Sequence, residues 1–425
     1  MNKFNKTLIA AAVGLISAQT SAAGFQLNSQ SATGIGRAMA GDAVIADNAS
    51  VLSRNPAAMA LFDETALSLG VVYADIDVSV SDIEGSFAGQ DVVFGSEHDA
   101  AEAKLIPNFY YINPINDKMA FGVAAFTNYG TGTDLGDLSN RAPTISGNAV
   151  ALPPPVDLLG NTEVVTINFN TSMSYRVNDE FSFGFGIDAI YASGTLTRTN
   201  EQLGSLVDVD ADGWALGGIV GVVYEVNPDN RFGLSYRISP KLTAKGDVNY
   251  LYSEYNEIDI PLADIAQFAG FHQLTEKFAV HYTAQWTNWS AFDKIVVKDG
   301  ENGVDKADLK EYHWKDSWFL SLGATYNLTQ DWTLRAGLAT DQGVVDQHSS
   351  LSIPDSDRTW YTAGVSYDLN QQSTVDFGVA LVRGEDVTVL EDSNLLAQVA
   401  GYNSEISAQT RSNAVYYSVQ YNYSF

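Results

Sequence analysis

The sequence predicts an all-β fold, namely a transmembrane antiparallel β-barrel of about 14 strands with an N-terminal hatch (plug) of short helices. Three observations predict it. The N-terminus has the basic, apolar and small-residue order of a secretory signal peptide. Apolar and polar side chains alternate with period 2 along the chain, up to the last residue, Phe425. Finally, tight polar turns alternate with long loops, which is the asymmetry of outer-membrane barrels.

Composition excludes several other classes of protein. The 425 residues include 51 acidic and 23 basic side chains, for a formal net charge of -28. This leaves no basic face for phosphate contacts, so we exclude nucleic acid as a partner. The chain has no cysteine, which excludes disulfide scaffolds, thiolate metal sites and cysteine catalysis. Its 45% hydrophobic content is too high for a disordered acidic chain.

Residues 1–22 are predicted to be a signal peptide. Their apolar stretch, Thr7–Ala18, is shorter than the roughly 20 residues that a helix needs to cross a bilayer, so we expect it to be removed. Cleavage is expected after Ala22, with Ala23 as the other choice. The mature chain then has two parts, a hatch at residues 23–62 and a transmembrane β-barrel at residues 63–425.

Alternation is the evidence for the strands. Phe181, Phe183 and Phe185 share one face of a predicted strand, opposite Ser182 and Gly184. In an outer-membrane barrel one face meets lipid and the other the lumen. The same pattern recurs in the segments 165–177, 214–224, 278–286, 318–328, 332–338 and 414–425. A soluble sandwich also alternates, so this evidence needs support from the connections between strands.

The connections favour a barrel because their lengths alternate. Tight turns are predicted at Asn113–Asp117, Val177–Glu180, Val226–Asn230, Gln273–Glu276, Asn327–Asp331 and Leu369–Ser373. Long loops are predicted near 82–103, 130–161, 198–212, 247–260, 298–311, 341–358 and 384–410. Six turns and seven loops imply about 14 strands. Residues 23–62 do not alternate and are rich in small residues, and such a segment suits the wide lumen of a barrel of this size.

Several short motifs resemble those of the FadL family of long-chain fatty acid transporters. The motifs are Ala23-Gly24-Phe25-Gln26-Leu27-Asn28, Gly34-Ile35-Gly36-Arg37-Ala38, Ser53-Arg54-Asn55-Pro56-Ala57, Thr127-Asn128-Tyr129-Gly130, Ala279-Val280-His281-Tyr282, Asn288-Trp289-Ser290 and Ser352-Ile353-Pro354-Asp355-Ser356-Asp357-Arg358. The resemblance implies a monomeric barrel in the outer membrane of a Gram-negative cell, in contact with lipid and lipopolysaccharide. It further implies passive uptake of a long-chain fatty acid or another hydrophobic small molecule, without a cofactor.

The resemblance also assigns the site residues. Arg198 and Lys310 match the family's basic ligand-pocket positions and would bind the ligand carboxylate; as alternatives, both are surface loop charges. Phe25 would form part of the pocket wall, or simply pack in the hatch core. The family releases its ligand sideways at a kink in the third strand, which here is Asn128-Tyr129-Gly130. Asn55-Pro56-Ala57 matches the hatch motif that contacts this kink, although alone it indicates a turn before a strand.

The acidic triplet and the histidines give weaker evidence for a functional site. Asp208, Asp210 and Asp212 copy only the first half of a calcium-binding loop, so an acidic loop tip is the preferred interpretation. The five histidines have neither metal-ligand spacing nor a Ser-His-acid order, so no catalytic or metal site is predicted. Three rivals to fatty acid uptake remain: uptake of monoaromatic hydrocarbons by the same fold, a membrane-embedded lipase or protease, and a hydrophilic porin.

Overall fold

The computed structural model describes residues 24–300, 305–346 and 348–425. The signal peptide expected at residues 1–22, its cleavage site and Ala23 lie outside the described residues. In these ranges, no helix has both the length and the apolar character that crossing a membrane requires.

The described chain is almost entirely β-structure after residue 65. The strands are β1 (Ala66–Phe87), β2 (Gln90–Glu97), β3 (Lys104–Asn116), β4 (Met119–Phe126), β5 (Gly130–Asp134), β6 (Thr144–Ile145), β7 (Asn148–Ala149), β8 (Asn161–Arg176), β9 (Phe181–Asn200), β10 (Gly204–Asn227), β11 (Asn230–Ile238), β12 (Lys241–Tyr250), β13 (Ser253–Pro261), β14 (Ile265–Thr275), β15 (Phe278–Thr287), β16 (Lys294–Lys298), β17 (Lys306–Glu311), β18 (Ser317–Asn327), β19 (Trp332–Asp341), β20 (Arg358–Asn370), β21 (Ser373–Gly384), β22 (Val387–Asp392) and β23 (Glu405–Ser424).

The sheet closes on itself. Strand β1 pairs antiparallel with β3 on one side and with the last strand, β23, on the other. Several wall strands consist of two segments in succession, such as β4 with β5 and β11 with β12. Counted in this way, the described residues form a closed antiparallel barrel of 14 strands, which confirms the predicted fold class.

The two faces of the wall differ as the alternation predicts. In β9, the side chains of Phe183, Phe185 and Ile187 are 49–60% exposed on the outer face, whereas Ser182 and Asp188 are fully buried on the inner face. Because the outer side chains are large and apolar, they suit contact with lipid.

The tight turns fall where the sequence predicts them, and each joins two strands that pair with one another. Three of the seven predicted long loops are wrong. In segment 82–103, β1 runs to Phe87 and β2 begins at Gln90, and the two strands pair with one another. Strand β9 runs to Asn200 and β10 begins at Gly204, and β12 runs to Tyr250 and β13 begins at Ser253. Segments 198–212 and 247–260 are therefore extended hairpins rather than loops.

The hatch, taken here as residues 24–62, contains three short helices. They are α1 (Ala32–Gly36) and two 3-10 turns, η1 (Ala49–Ser53) and η2 (Pro56–Leu61). Each is preceded by a capping residue whose side chain accepts a hydrogen bond from a backbone N–H of the helix. The capping residues are Ser31, Asn48 and Asn55 respectively. These caps satisfy backbone groups that would otherwise be buried without partners, so short turns can persist inside the barrel.

A glycine girdle surrounds the hatch. In the described part of the chain, eight strands each place an inward-facing glycine so close to the hatch that an added Cβ would overlap it: Gly122, Gly184, Gly221, Gly233, Gly323, Gly337, Gly364 and Gly378. The contact is reciprocal at one point, since a Cβ on Gly364 would lie 2.7 Å from Cα of Gly36, and a Cβ on Gly36 would lie 2.9 Å from Cα of Gly364. The hatch backbone therefore rests directly on the wall.

Ion pairs within the hatch and between the hatch and the wall hold it in place. Nη1 of Arg37 lies 2.7 Å from Oδ2 of Asp47, and Nη2 of Arg335 in the wall lies 3.3 Å from the same oxygen. Burial by itself would raise the pKa of Asp47, but the charges of Arg37 and then Arg335 outweigh it and hold the pKa below its ordinary value.

Low pH should weaken the ion pairs that Asp47 forms with Arg37 and Arg335. A carboxylate with a lowered pKa stabilises the folded state above its unfolded pKa of about 3.9 and loses that contribution as the pH falls. We therefore expect the ionic leak through the wild-type protein in a planar bilayer to rise as the pH drops below about 3.9. Asp47→Asn should leak already at neutral pH, with a weaker pH dependence, whereas Asp91→Asn, at an exposed position in β2, should behave as the wild type does. An unchanged leak in Asp47→Asn would contradict this expectation.

Candidate functional site

Arg198 lies near the end of β9, where it is only 4% exposed. Nη1 donates hydrogen bonds to the carbonyl oxygens of Asn161 (2.8 Å) and Thr197 (2.7 Å). Nη2 donates to the hydroxyl oxygens of Thr162 (2.8 Å) and Ser352 (2.7 Å). All four acceptors are neutral, and among the described residues no carboxylate forms an ion pair with Arg198. A buried guanidinium usually has a carboxylate partner, whereas this one has hydrogen bonds to neutral groups in its place.

Lys310 lies in β17, which pairs with β16. Nζ donates a hydrogen bond to the hydroxyl of Ser350 (2.7 Å), forms an ion pair with Glu391, and lies 5.4 Å from the ring centre of Tyr312. The other oxygen of Glu391 accepts a hydrogen bond from the backbone N–H of Leu351 (2.7 Å). Burial raises the pKa of Tyr312, so its phenol remains neutral beside the cation.

Both basic residues therefore bind one short segment of the loop between β19 and β20. Arg198 contacts Ser352 and Lys310 contacts Ser350, two residues away. The structure thus brings together the two cations that the sequence singles out. Sequence reasoning missed Glu391 and Ser350, because they are more than 35 residues from either basic residue and belong to no motif quoted above. Ser352 opens one of the quoted motifs, but nothing in that motif links it to Arg198.

Phe25 lies in a cluster of aromatic rings and is 2% exposed. Its ring centre is 4.7 Å from that of Trp289, 5.1 Å from Phe292 and 5.9 Å from both Tyr129 and Trp314. The cluster continues toward the basic residues, since the rings of Phe292 and Tyr312 are 4.7 Å apart. Phe25 is thus both part of the hatch and part of an apolar wall that leads from Lys310 to the kink.

The kink is a break in the third wall strand. Strand β4 ends at Phe126 and β5 begins at Gly130, and the ring of Tyr129 is fully buried inside the barrel. Its hydroxyl donates to the carbonyl oxygen of Ala263 (2.5 Å) and lies 3.1 Å from that of Ser239.

Beyond the kink, the wall is paired on one side only. Strand β5 pairs with β8, whereas residues 104–108 of β3 pair with β1 alone. Within the described residues, no ladder joins β3 to β5. We call this interval between residues 104–108 and 130–134 the gap.

The hatch contacts the kink through its first residues. Gly130 N–H donates to the carbonyl of Phe25 (2.9 Å), and Leu27 N–H donates to that of Asn128 (2.7 Å). Gln30 adds a side-chain hydrogen bond to Oδ1 of Asn128 (2.6 Å).

The hydrogen bonds of the motif Asn55-Pro56-Ala57 go to the hatch and to β10. Nδ2 of Asn55 donates to the carbonyls of Ala43 (2.9 Å) and Val222 (3.1 Å), and its Oδ1 caps η2 by accepting from Ala57 N–H (3.0 Å). Pro56 and Ala57 pack on the girdle glycine Gly184. The polar groups of Asn55 are therefore used to fasten η2 to the wall, and residues 25–30 contact the kink.

The acidic triplet lies in a strand and not at the loop tip that the sequence predicts. Asp208, Asp210 and Asp212 lie on the exposed face of β10, in alternation with buried Val209 and Ala211. An extended strand does not converge these carboxylates on one point as a calcium loop does. Among the described residues, no group of three or more His, Asp or Glu side chains is arranged to hold a metal ion.

The sequence was compared with known proteins. The model of the family described as outer membrane protein transport protein (OMPP1/FadL/TodX) matches residues 13–425. The long-chain fatty acid transport protein of Salmonella typhi is 33% identical, over 91% of this chain and 94% of its own. Outer membrane protein P1 of Haemophilus influenzae is 32% identical over the full length of both chains.

The chain belongs to the OMPP1/FadL/TodX family. This confirms the resemblance noted in the sequence and places the barrel in the Gram-negative outer membrane as a transport protein. Solved structures agree on the fold: a FadL homologue of Pseudomonas aeruginosa aligns with a TM-score of 0.79 at 22% identity, covering 95% of this chain and 100% of its own. The toluene transporter TbuX of Ralstonia pickettii aligns with a TM-score of 0.64 at 18% identity, covering 93% and 98%.

Proposed function

We propose that this protein takes up long-chain fatty acids across the outer membrane by passive transfer. The ligand would be captured from the extracellular side, held in the apolar interior with its carboxylate at Arg198 and Lys310, and released sideways through the gap. The process needs no cofactor and makes or breaks no bond.

The single observation that carries the proposal is the buried Arg198 guanidinium with only neutral partners. Hydrogen bonds to charged groups contribute about 1.5–3 kcal/mol each, roughly twice those between neutral groups. A fatty acid carboxylate that replaced the hydroxyl of Ser352 would exchange a hydrogen bond between an ion and a neutral group for one between opposite charges. Because Lys310 is bound to the same loop segment, one movement of residues 350–352 would release Arg198 from Ser352 and Lys310 from Ser350, leaving Glu391 as the remaining partner of Lys310.

The surroundings suit an acyl chain. Phe25, Tyr129, Val207 and Ile353 belong to one buried apolar cluster that extends from the level of Arg198 to the kink. Moving each methylene from such a site into water would cost about 0.8 kcal/mol. Sideways release through the gap into lipid avoids that cost, whereas exit through the hatch would require passage past the glycine girdle.

The aromatic cluster around Phe25 favours a second candidate, uptake of monoaromatic hydrocarbons. Edge-to-face contacts such as those between Phe25, Trp289 and Phe292 would also accept a benzene ring. A neutral ring offers no charge to a buried arginine, however, so this candidate leaves Arg198 unexplained.

Equilibrium binding of oleate and of toluene to the detergent-folded mature protein tests the proposal. We expect oleate to bind tightly, methyl oleate to bind more weakly because it lacks the carboxylate, and toluene to bind weakly. Tight toluene binding together with weak or absent oleate binding would instead assign the protein to hydrocarbon uptake.

Glu391 should oppose ligand binding, because its carboxylate already occupies Lys310. We expect Glu391→Gln, which keeps the size but removes the charge, to strengthen oleate binding by about fivefold to tenfold while leaving methyl oleate unaffected. Glu405→Gln, at an exposed position on β23, serves as the matched control. Weaker oleate binding in Glu391→Gln would mean that Glu391 positions Lys310 rather than competing for it.

A further inference from the structure

The inner wall beside the kink carries buried polar side chains without partners. Neither the nitrogen nor the oxygen of the side-chain amides of Asn108 and Asn168 has a hydrogen-bond partner among the described residues. The same holds for Oγ1 of Thr127 and Nδ2 of Asn128. All four residues are at most 6% exposed.

These residues are neighbours in the fold. Asn108 is the first residue of β3 beyond its ladder with β4, whose last pair is Phe109 with Ala125. Phe126, at the end of β4, pairs with Asn168 on the following wall strand. Thr127 and Asn128 come directly after Phe126. The four residues therefore lie along the lower edge of the gap, with the Asn108 amide resting over Gly70 of the neighbouring strand β1.

Burying an amide without a partner costs about 1–3 kcal/mol. The hatch satisfies only part of the group, since Gln30 donates to Oδ1 of Asn128 but leaves Nδ2 of that residue unpaired. Leucine would fill the positions of Asn108 and Asn168 without this cost. Polar residues at these positions are thus unfavourable for the closed barrel alone, which indicates partners from outside the protein.

The nearest arginine does not supply the missing contact. Arg237 lies with its guanidinium carbon 5.3 Å from the ring centre of Phe126 and is paired with the buried Asp188. Its charge is therefore neutralised. Lys104, at the other end of the gap, is likewise paired, with its Nζ 3.3 Å from Oε1 of Glu163. The lower edge of the gap thus offers amide and hydroxyl groups without an unpaired charge.

We propose that Asn108, Asn168 and the free amide nitrogen of Asn128 form a second head-group site, which receives the carboxyl group of the acyl ligand as it leaves through the gap. Amide N–H groups donate to the carboxylate oxygens, and the amide oxygens accept from water or from a protonated acid. Without a cation, the site binds a carboxylate less strongly than Arg198 does, so it guides the head group without retaining it. This inference rests on the function proposed above.

Leucine variants provide the test, because Asn108→Leu and Asn168→Leu remove no hydrogen bond within the described protein. Transfer of oleate and of 1-octadecene, a hydrocarbon of the same chain length, is measured in proteoliposomes, and oleate binding is measured at equilibrium. We expect each variant to slow oleate transfer by about tenfold, with 1-octadecene transfer and oleate affinity unchanged. Asn108→Asp should slow oleate further by repulsion between like charges.

The outcomes are distinct. Equal slowing of both ligands would overturn the inference, because it would show an altered gap rather than a lost head-group contact. Unchanged transfer of both would also overturn it and assign the site to water alone. Failure of the wild-type protein to bind oleate would instead overturn the proposed function itself.

Discussion

Arg198→Ala should weaken oleate binding by about tenfold to a hundredfold. The reason is that a carboxylate loses hydrogen bonds to a buried charged group, each contributing about 1.5–3 kcal/mol, where about 1.4 kcal/mol corresponds to a factor of ten. Arg198→Lys should have an intermediate effect, since an ammonium retains the charge but lacks the planar fork that can bind two oxygens at once. Titration of the detergent-folded variants with oleate measures both.

Two controls separate the carboxylate contact from the structural role of the arginine, which also ties β9 to Thr162 and to the loop at Ser352. Binding of 1-octadecene, which has no carboxylate, should not change in Arg198→Ala. Arg383→Ala removes an exposed arginine from β21 and should leave oleate binding intact. Equal loss of oleate and 1-octadecene binding in Arg198→Ala would show that the substitution damages the pocket, and would remove the evidence for carboxylate recognition.

Gly364→Val should open an ion-conducting path through the barrel. The first added carbon alone would lie 2.7 Å from Cα of Gly36, a distance that carbon atoms in folded proteins do not tolerate without movement. The wall is held by continuous ladders from β20 to its neighbours β19 and β21, so the smaller hatch must move. A 14-stranded barrel whose hatch is displaced leaves an aqueous channel, and planar-bilayer conductance should rise well above that of the wild type.

Ala363→Leu is the matched control. It adds three carbons, as Gly364→Val does, but at the adjacent, outward-facing position on β20. It should not change conductance, since those carbons meet lipid rather than the hatch. If Gly364→Val folds as a barrel and conducts no more than the wild type does, the hatch contact at Gly36 does not seal the lumen. Deletion of residues 24–62 provides the upper limit of conductance for comparison.

The barrel could be predicted because its determinants are local. The alternation in β8 and β9 follows from one wall face meeting lipid and the other the lumen, and every tight turn was visible as a short polar segment. The errors at 198–212 and 247–260 have a physical cause. Beyond the membrane, the outer face meets water, so Asp208, Asp210 and Asp212 can replace apolar residues while Val209 and Ala211 remain buried. A polar strand of this kind resembles a loop in sequence.

The candidate site was less accessible from the sequence. Arg198 and Lys310 were identified through resemblance alone, and only the fold shows that they share the segment 350–352. Glu391 and Asn108 carry no local signal, because one is an acid in a strand and the other an amide in a strand. Only neighbours that are distant in the sequence single them out. Glu391 pairs with a lysine 81 residues away, and Asn108 lies where the ladder with the adjacent strand breaks.

The position of the glycine girdle constrains the order of assembly. The hatch comes first in the chain, yet it is enclosed by a wall whose last strand, β23, must find β1 to complete the circle. At six of the eight girdle glycines the hatch backbone itself is the close neighbour, so a closed wall leaves little room for a loosely folded segment to enter. We therefore expect the hatch to occupy the interior before the two edge strands meet, so that the sheet closes around it. A change at Gly36 would then slow the insertion of the whole protein into the membrane, in addition to loosening its seal.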